Sequence, residues 1–174
     1  MDSHFQQVMT ARARLAGSAP RRYFAYSTVL DAAAFDEWRR QHGYDLFTLP
    51  PGRIAEGLEL ALVFDFPSRW WDGRVAGLGD RQGATVFGRL FEIAGEDWPI
   101  VQHKEGAITG MSVERSVRVR VDGEISEATA FTTNPARARQ DGPISRRFVD
   151  ALLRGAEAGG LPAVWLEQIR AAAR

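Results

Sequence analysis

Residues 58–66 read Leu-Glu-Leu-Ala-Leu-Val-Phe-Asp-Phe, with Leu58, Leu60, Leu62, Phe64 and Phe66 at every second position. Successive side chains of a strand point to opposite faces, so this period of two predicts a strand with one face in a core. The pattern returns where Val117, Val119 and Val121 alternate with Arg118 and Arg120. Asp122-Gly123 then marks a hairpin turn, with the returning strand over Glu124–Thr132. Arg21–Tyr26, short and aromatic, reads as a buried strand, and Tyr44–Leu49 as another, stopped by Pro50-Pro51-Gly52. A glycine-rich loop is expected from Arg69 to Gly83, then a strand from Thr85 to Ile93.

Helix signals fall between and after these runs. Asp31 caps a helix carrying Phe35 and Trp38, with Gly43 as its terminator. Glu96–His103 reads as a short helical turn leading to Glu105-Gly106. Pro143 and Ser145 open a helix with Phe148, Leu152 and Leu153 on one face, ended by Gly159-Gly160. Pro162 suits the first turn of a last helix through Trp165 and Ile169. Six or so strands with interspersed and closing helices predict an α+β fold, a small mixed β-barrel or curled sheet with flanking helices. Residues 1–20 read as an N-terminal helical extension and residues 21–174 as one domain.

Composition narrows the chemistry. Of 174 residues, 45% are apolar, enough to bury a core. Lys+Arg and Asp+Glu are each 22, so there is no basic surplus of the kind that grips nucleic acid. The chain has no cysteine, which excludes disulfides, Cys-ligated metals and thiol nucleophiles. No apolar run approaches the ~18 residues needed to span a membrane. Asp2, Arg12 and Arg14 interrupt the first 16 residues, against a secretory signal, so a cytoplasmic location is expected. Lys104 is the one lysine among the 22 basic residues, a bias that GC-rich, bacterial-type genomes leave.

Few motifs survive inspection. His4, His42 and His103 are scattered, and no His-Glu-x-x-His or Asp-rich loop occurs, so no metal site is expected. No serine sits in a Gly-x-Ser-x-Gly elbow. Gly77-x-Gly79-x-x-x-Gly83 lacks the following Gly-Lys-Ser/Thr of a phosphate loop and reads as a connector. Trp70-Trp71 offers either a stacking platform or the cap of a barrel end. Glu105 stands at a helix exit, where the negative end of the helix dipole disfavours its ionised form. Facing a barrel interior, it would also be desolvated, and could exchange a proton near neutral pH. Facing water, it is an ordinary surface glutamate.

Several segments, taken in order, resemble the gamma-glutamyl cyclotransferase-like proteins. Tyr23-Phe24-Ala25-Tyr26 is similar to that family's first strand, and Trp71, Gly73, Ala76, Gly83, Val86 and Gly88 to its middle region. Glu105-Gly106 falls where the family places its catalytic Glu-Gly. The hairpin at Asp122-Gly123 is similar to the family's next hairpin, and the run Pro143–Trp165 to its closing helices. The resemblance covers roughly residues 22–166. It implies a small mixed barrel with a cavity at one end. It implies an intramolecular aminolysis, in which the free α-amine of a γ-glutamyl group attacks its own side-chain carbonyl. The products are 5-oxoproline and an amine, from a transferase- or lyase-type reaction needing no cofactor. Glu105 would be the general acid/base, and the loop after the first strand would hold the substrate's carboxylate or oxyanion.

The resemblance has departures. The family's Gly-Ser-Asn after Tyr26 is here Ser27-Thr28-Val29, and its Leu-Asp before the glutamate is Val101-Gln102. Met111 and Phe131 stand where the family commonly carries tyrosine. The proton shuttle is thus kept while the substrate shell, formed by Tyr26, Ser27, Thr28, Val29, Met111 and Phe131, becomes more apolar. The leading expectation is an enzyme acting on a small γ-glutamyl compound, with no nucleic-acid or membrane partner. The alternatives are a non-catalytic module binding a small molecule in the same cavity, and an interaction domain presenting Trp70-Trp71. The oligomeric state and the leaving amine stay open.

Overall fold

The alternating runs pair with one another to close a cylinder. The computed structural model describes residues 3–174. Its strands are β1 (Arg21–Ala25), β2 (Arg53–Ser68), β3 (Gly73–Ile93), β4 (Ser112–Val121) and β5 (Glu124–Thr133). They form a closed barrel in the order β1-β3-β2-β4-β5. Every neighbouring pair is antiparallel except β1 and β5, which close the barrel in parallel where Tyr23 faces Thr129. The small mixed barrel with flanking helices is therefore present.

The helices are α1 (Ser3–Arg14), α2 (Ala32–Gln41), α3 (Trp98–Lys104), α4 (Arg146–Ala158) and α5 (Ala163–Ala172). Their ends obey the sequence signals. The Asp31 carboxylate accepts the Ala33 and Ala34 amides at 3.1 and 3.4 Å, and Ser145 caps α4 through the Phe148 amide. Asp31 also meets Arg154 of α4 at 3.1 Å, tying the two helices together. Within the proposed extension, α1 packs on α3, with Val8 buried and Arg12 paired to Asp97 at 2.7 Å; residues 1 and 2 lie outside the described residues. No helix among the described residues is long and apolar enough to cross a membrane.

Two expectations about strands fail. Tyr44–Leu49 is not a strand: both flanks of β3 are taken by β1 and β2, so no edge remains for it. Its aromatics pack on α2 instead, Tyr44 against Trp38 and Phe47 against Phe35. The supposed glycine-rich loop from Arg69 to Gly83 is mostly strand. Only Arg69–Asp72 forms the turn of the β2–β3 hairpin, after which Gly73 to Asp80 pair back along β2. Glycine inside a strand often marks a close approach. A Cβ on Gly77 would lie 2.5 Å from the Thr133 hydroxyl and 2.8 Å from the Asp65 carboxylate.

The tightest approach is elsewhere in β3. A Cβ on Gly88 would sit 2.3 Å from the Ala25 carbonyl oxygen and 2.9 Å from the Phe24 ring. A backbone oxygen cannot rotate away as a side chain can. We expect Gly88→Ala to lose about 3 kcal/mol of stability or more, at the upper end of overpacking costs, with urea unfolding as the measurement.

Candidate active site

Helix α3 ends in a way that fixes the carboxylate after it. The Glu105 amide donates to the Val101 carbonyl at 2.9 Å. Gly106 then takes φ +82°. Its amide donates to His103 at 3.1 Å, and the Ala107 amide to Gln102 at 2.8 Å, the paired bonds of a Schellman turn. This left-handed position favours glycine, and a Cβ there would also approach Met111 and Phe66 at 3.4 and 3.5 Å. The glycine after Glu105 is thus a demand of backbone geometry.

Glu105 lies on the wall of an open cavity of about 980 Å³. The Tyr23 hydroxyl donates to Glu105 Oε1 at 2.5 Å. Burial raises the Glu105 pKa above the ordinary carboxylate value, opposed by the neighbouring Lys104 charge and by the Tyr23 hydrogen bond. Burial lowers the Lys104 pKa, opposed by Glu105. Burial, then the Glu105 charge, pushes the Tyr23 and Tyr26 phenols well up, so both keep their protons. The Lys104 ammonium stands 5.6 Å from the centre of the Trp38 ring. Together these groups form a buried carboxyl of raised pKa with a fixed donor on one oxygen and a cation nearby.

The structure brings Tyr26, Ser27, Thr28, Met111 and Phe131 onto the same cavity wall as Glu105. The Tyr26 hydroxyl is committed to the Phe131 carbonyl at 2.5 Å. Ser27 is extended at φ −117° and Thr28 starts a 3₁₀ turn, so neither adopts the positive φ that a glycine would reach. Val29 is not on this wall. A 3₁₀ turn rotates successive side chains by about 120°, which sends Val29 away from Thr28. It is buried beside a separate, smaller cavity shared with Leu30 and Phe35.

Sequence reasoning missed Tyr23, Lys104, Trp38 and His42 as site residues. One signal was available for Tyr23. A buried strand with two tyrosines needs partners for both hydroxyls, and a carboxylate is a strong acceptor. The histidines, scattered in sequence, gather in space: the His103 ring lies 5.1 Å from His42 and 5.5 Å from His4. Among the described residues, no group of three or more His, Cys, Asp or Glu is placed to hold a metal. Trp71 packs edge-on to Phe148 at 5.6 Å, as a cap does, while Trp70 is half exposed.

A gamma-glutamyl cyclotransferase of known structure has the same architecture, with a TM-score of 0.71 at 20% identity over 87% of each chain. The fold is gamma-glutamyl cyclotransferase-like. The human protein loc79017 is similar at a TM-score of 0.74 and 21% identity, over 88% of each chain. A yeast gamma-glutamyl cyclotransferase specific to glutathione is more distant, at 0.58 and 10% identity over 89% of this chain and 97% of that one. Residues 85–169, which include Glu105-Gly106, match the AIG2-like family. No curated protein sequence matches the chain significantly. The fold that the gamma-glutamyl cyclotransferase-like resemblance implied is thereby borne out.

The raised Glu105 pKa has a measurable sign. The folded chain holds this proton more tightly than the unfolded chain, so stability falls as pH rises from 4.5, the ordinary value, to the raised one. Glu105→Gln carries no such penalty. We expect its urea midpoint to exceed that of the parent at pH 8, and the gap to close below about pH 4. A gap independent of pH would contradict a buried Glu105 of raised pKa.

Proposed function

We propose that the chain is a cofactor-independent gamma-glutamyl cyclotransferase that releases 5-oxoproline and an amine from a small γ-glutamyl compound. The observation that carries this reading is Glu105 on the wall of the cavity, with the buried Tyr23 hydroxyl donating to it from behind. The gamma-glutamyl cyclotransferase-like fold supports it. In this reading the nucleophile belongs to the substrate, and ring closure supplies proximity, so the protein must orient groups and move one proton.

The ionised Glu105 takes a proton from the α-amine as its nitrogen attacks the γ-carbonyl carbon. The same carboxyl then gives the proton to the departing nitrogen as the original amide bond breaks. Backbone N–H groups of the Ser27–Thr28 turn hold the oxygen that gains charge. A carboxylate with a raised pKa is a better base for this transfer, and Tyr23 keeps one of its oxygens in a fixed direction. Met111 and Phe131, both on the cavity wall, offer no hydroxyl to the substrate. That favours a second reading, in which the cavity binds a γ-glutamyl-like molecule without turning it over.

Incubation with a panel of γ-glutamyl amines, followed by detection of 5-oxoproline, separates the two. Turnover is expected, and Glu105→Gln is expected to lose roughly 10²–10⁴-fold of it, the usual worth of acid/base assistance. Tyr23→Phe removes the bond that favours the ionised carboxylate. The acid limb of its pH–rate profile is therefore expected at higher pH than in the parent. No 5-oxoproline from any member of the panel would leave the binding reading in place.

A further inference from the structure

The cavity is larger than the proposed chemistry requires. A γ-glutamyl head occupies only the region around Glu105, whereas about 980 Å³ is open. That volume lies at the upper end of small-molecule sites. Its outer wall is the β2–β3 turn Arg69–Asp72, which carries Trp70 and Trp71.

This turn is anchored. The Trp71 amide donates to the Ser68 hydroxyl at 3.2 Å, and the Trp71 carbonyl accepts the Ser145 hydroxyl at 2.5 Å. The Trp71 ring is wedged against Phe148 with the Arg147 guanidinium 5.7 Å above it. Trp70 is different. It is 49% exposed, lines the cavity, and has no ring partner among the described residues. An anchored turn that holds one large indole free over a cavity offers a stacking face at little ordering cost.

The charge of the outer wall is also informative. Arg69 and Arg137 line it without an ion pair among the described residues. Arg74, fastened to the Phe64 and Gly142 carbonyls, and Arg139 add two more cations. Only Asp72 and Asp141 oppose them. The wall therefore favours an anionic group over a second cation.

We propose that the Trp70 turn is the leaving-group subsite and that its preferred occupant is an aromatic amino acid. The ring stacks on Trp70, and the carboxylate is held by Arg137 and Arg69. This rests on the cyclotransferase reading above. For γ-glutamyl-phenylalanine, the α-nitrogen bonds to the γ-carbon, the bond from that carbon to the phenylalanine nitrogen breaks, and one proton passes between the nitrogens. No co-reactant is needed.

The test compares kcat/KM for γ-glutamyl-phenylalanine, γ-glutamyl-alanine, γ-glutamyl-phenethylamine and γ-glutamyl-1,4-diaminobutane. Phenylalanine is expected to lead alanine by about 2–12-fold, the range of one aromatic contact, and the diamine is expected last. Trp70→Ala should narrow the phenylalanine-to-alanine ratio by about the same factor. Arg137→Ala should reduce the advantage of phenylalanine over phenethylamine. Alanine or the diamine leading, or a ratio unmoved by Trp70→Ala, overturns the proposal.

Binding separates this proposal from catalysis. Glu105→Gln is titrated with γ-glutamyl-phenylalanine and γ-glutamyl-alanine by isothermal calorimetry, with and without Trp70→Ala. Tighter phenylalanine binding that depends on Trp70, without turnover by the parent, keeps the subsite and discards the enzyme. Turnover without aromatic preference does the reverse, and binding without aromatic preference discards the subsite.

Discussion

The barrel depends on one ring held between two glycines. Phe24 is fully buried on β1, and its ring occupies the space that side chains on Gly57 of β2 and Gly88 of β3 would fill. A Cβ at Gly57 would come within 2.7 Å of that ring. Three strands can therefore approach closely only with this large–small–small combination. Such complementarity is what close-packed interiors require, and it leaves little room for exchange of volumes among these positions. Holding β1 in place on β3 also fixes Tyr23 and Tyr26 to either side of Phe24, and their hydroxyls organise the cavity.

The candidate carboxylate sits on a part of this frame that backbone hydrogen bonds tie down. Glu105 is carried by a helix terminus whose carbonyls are already satisfied by the Gly106 and Ala107 amides. The loop beyond it is drawn back by the Met111 and Ser112 amides, which both reach the Gly106 carbonyl. Helix α1 lies along α3 from the other side. A carboxylate placed this way reaches its tyrosine partner without ordering a flexible chain first, which is the condition for effective proton transfer.

The range of each interaction decided whether it could be read in the sequence. Local signals were reliable: Asp31 and Ser145 as caps, Gly43 and Gly106 as left-handed stops, Asp122-Gly123 as a turn. Each depends on residues within a few positions of one another. The long β3 was misread because Gly73, Gly77 and Gly79 look like a loop when their strand partner is unknown. Gly77 is explained only by Thr133 and Asp65, distant in sequence. Tyr44–Leu49 erred in the opposite direction, since its apolar pattern was real but no free sheet edge was left for it. At the candidate site, Glu105 was legible through its helix exit and the glycine after it. Val29 was misplaced because the 3₁₀ turn that rotates it away leaves no signature in three residues.

Lys104 gives the molecule an unusual chemical simplicity. It is the one lysine in the chain, and it lines the cavity beside Glu105. Apart from the α-amine, every amine-directed label must therefore react inside the candidate site or not at all. The other cations are arginines, which such reagents ignore. A single acylation or reductive methylation site thus doubles as an occupancy gauge: whatever fills the cavity shields Lys104, and the mass of one peptide records it.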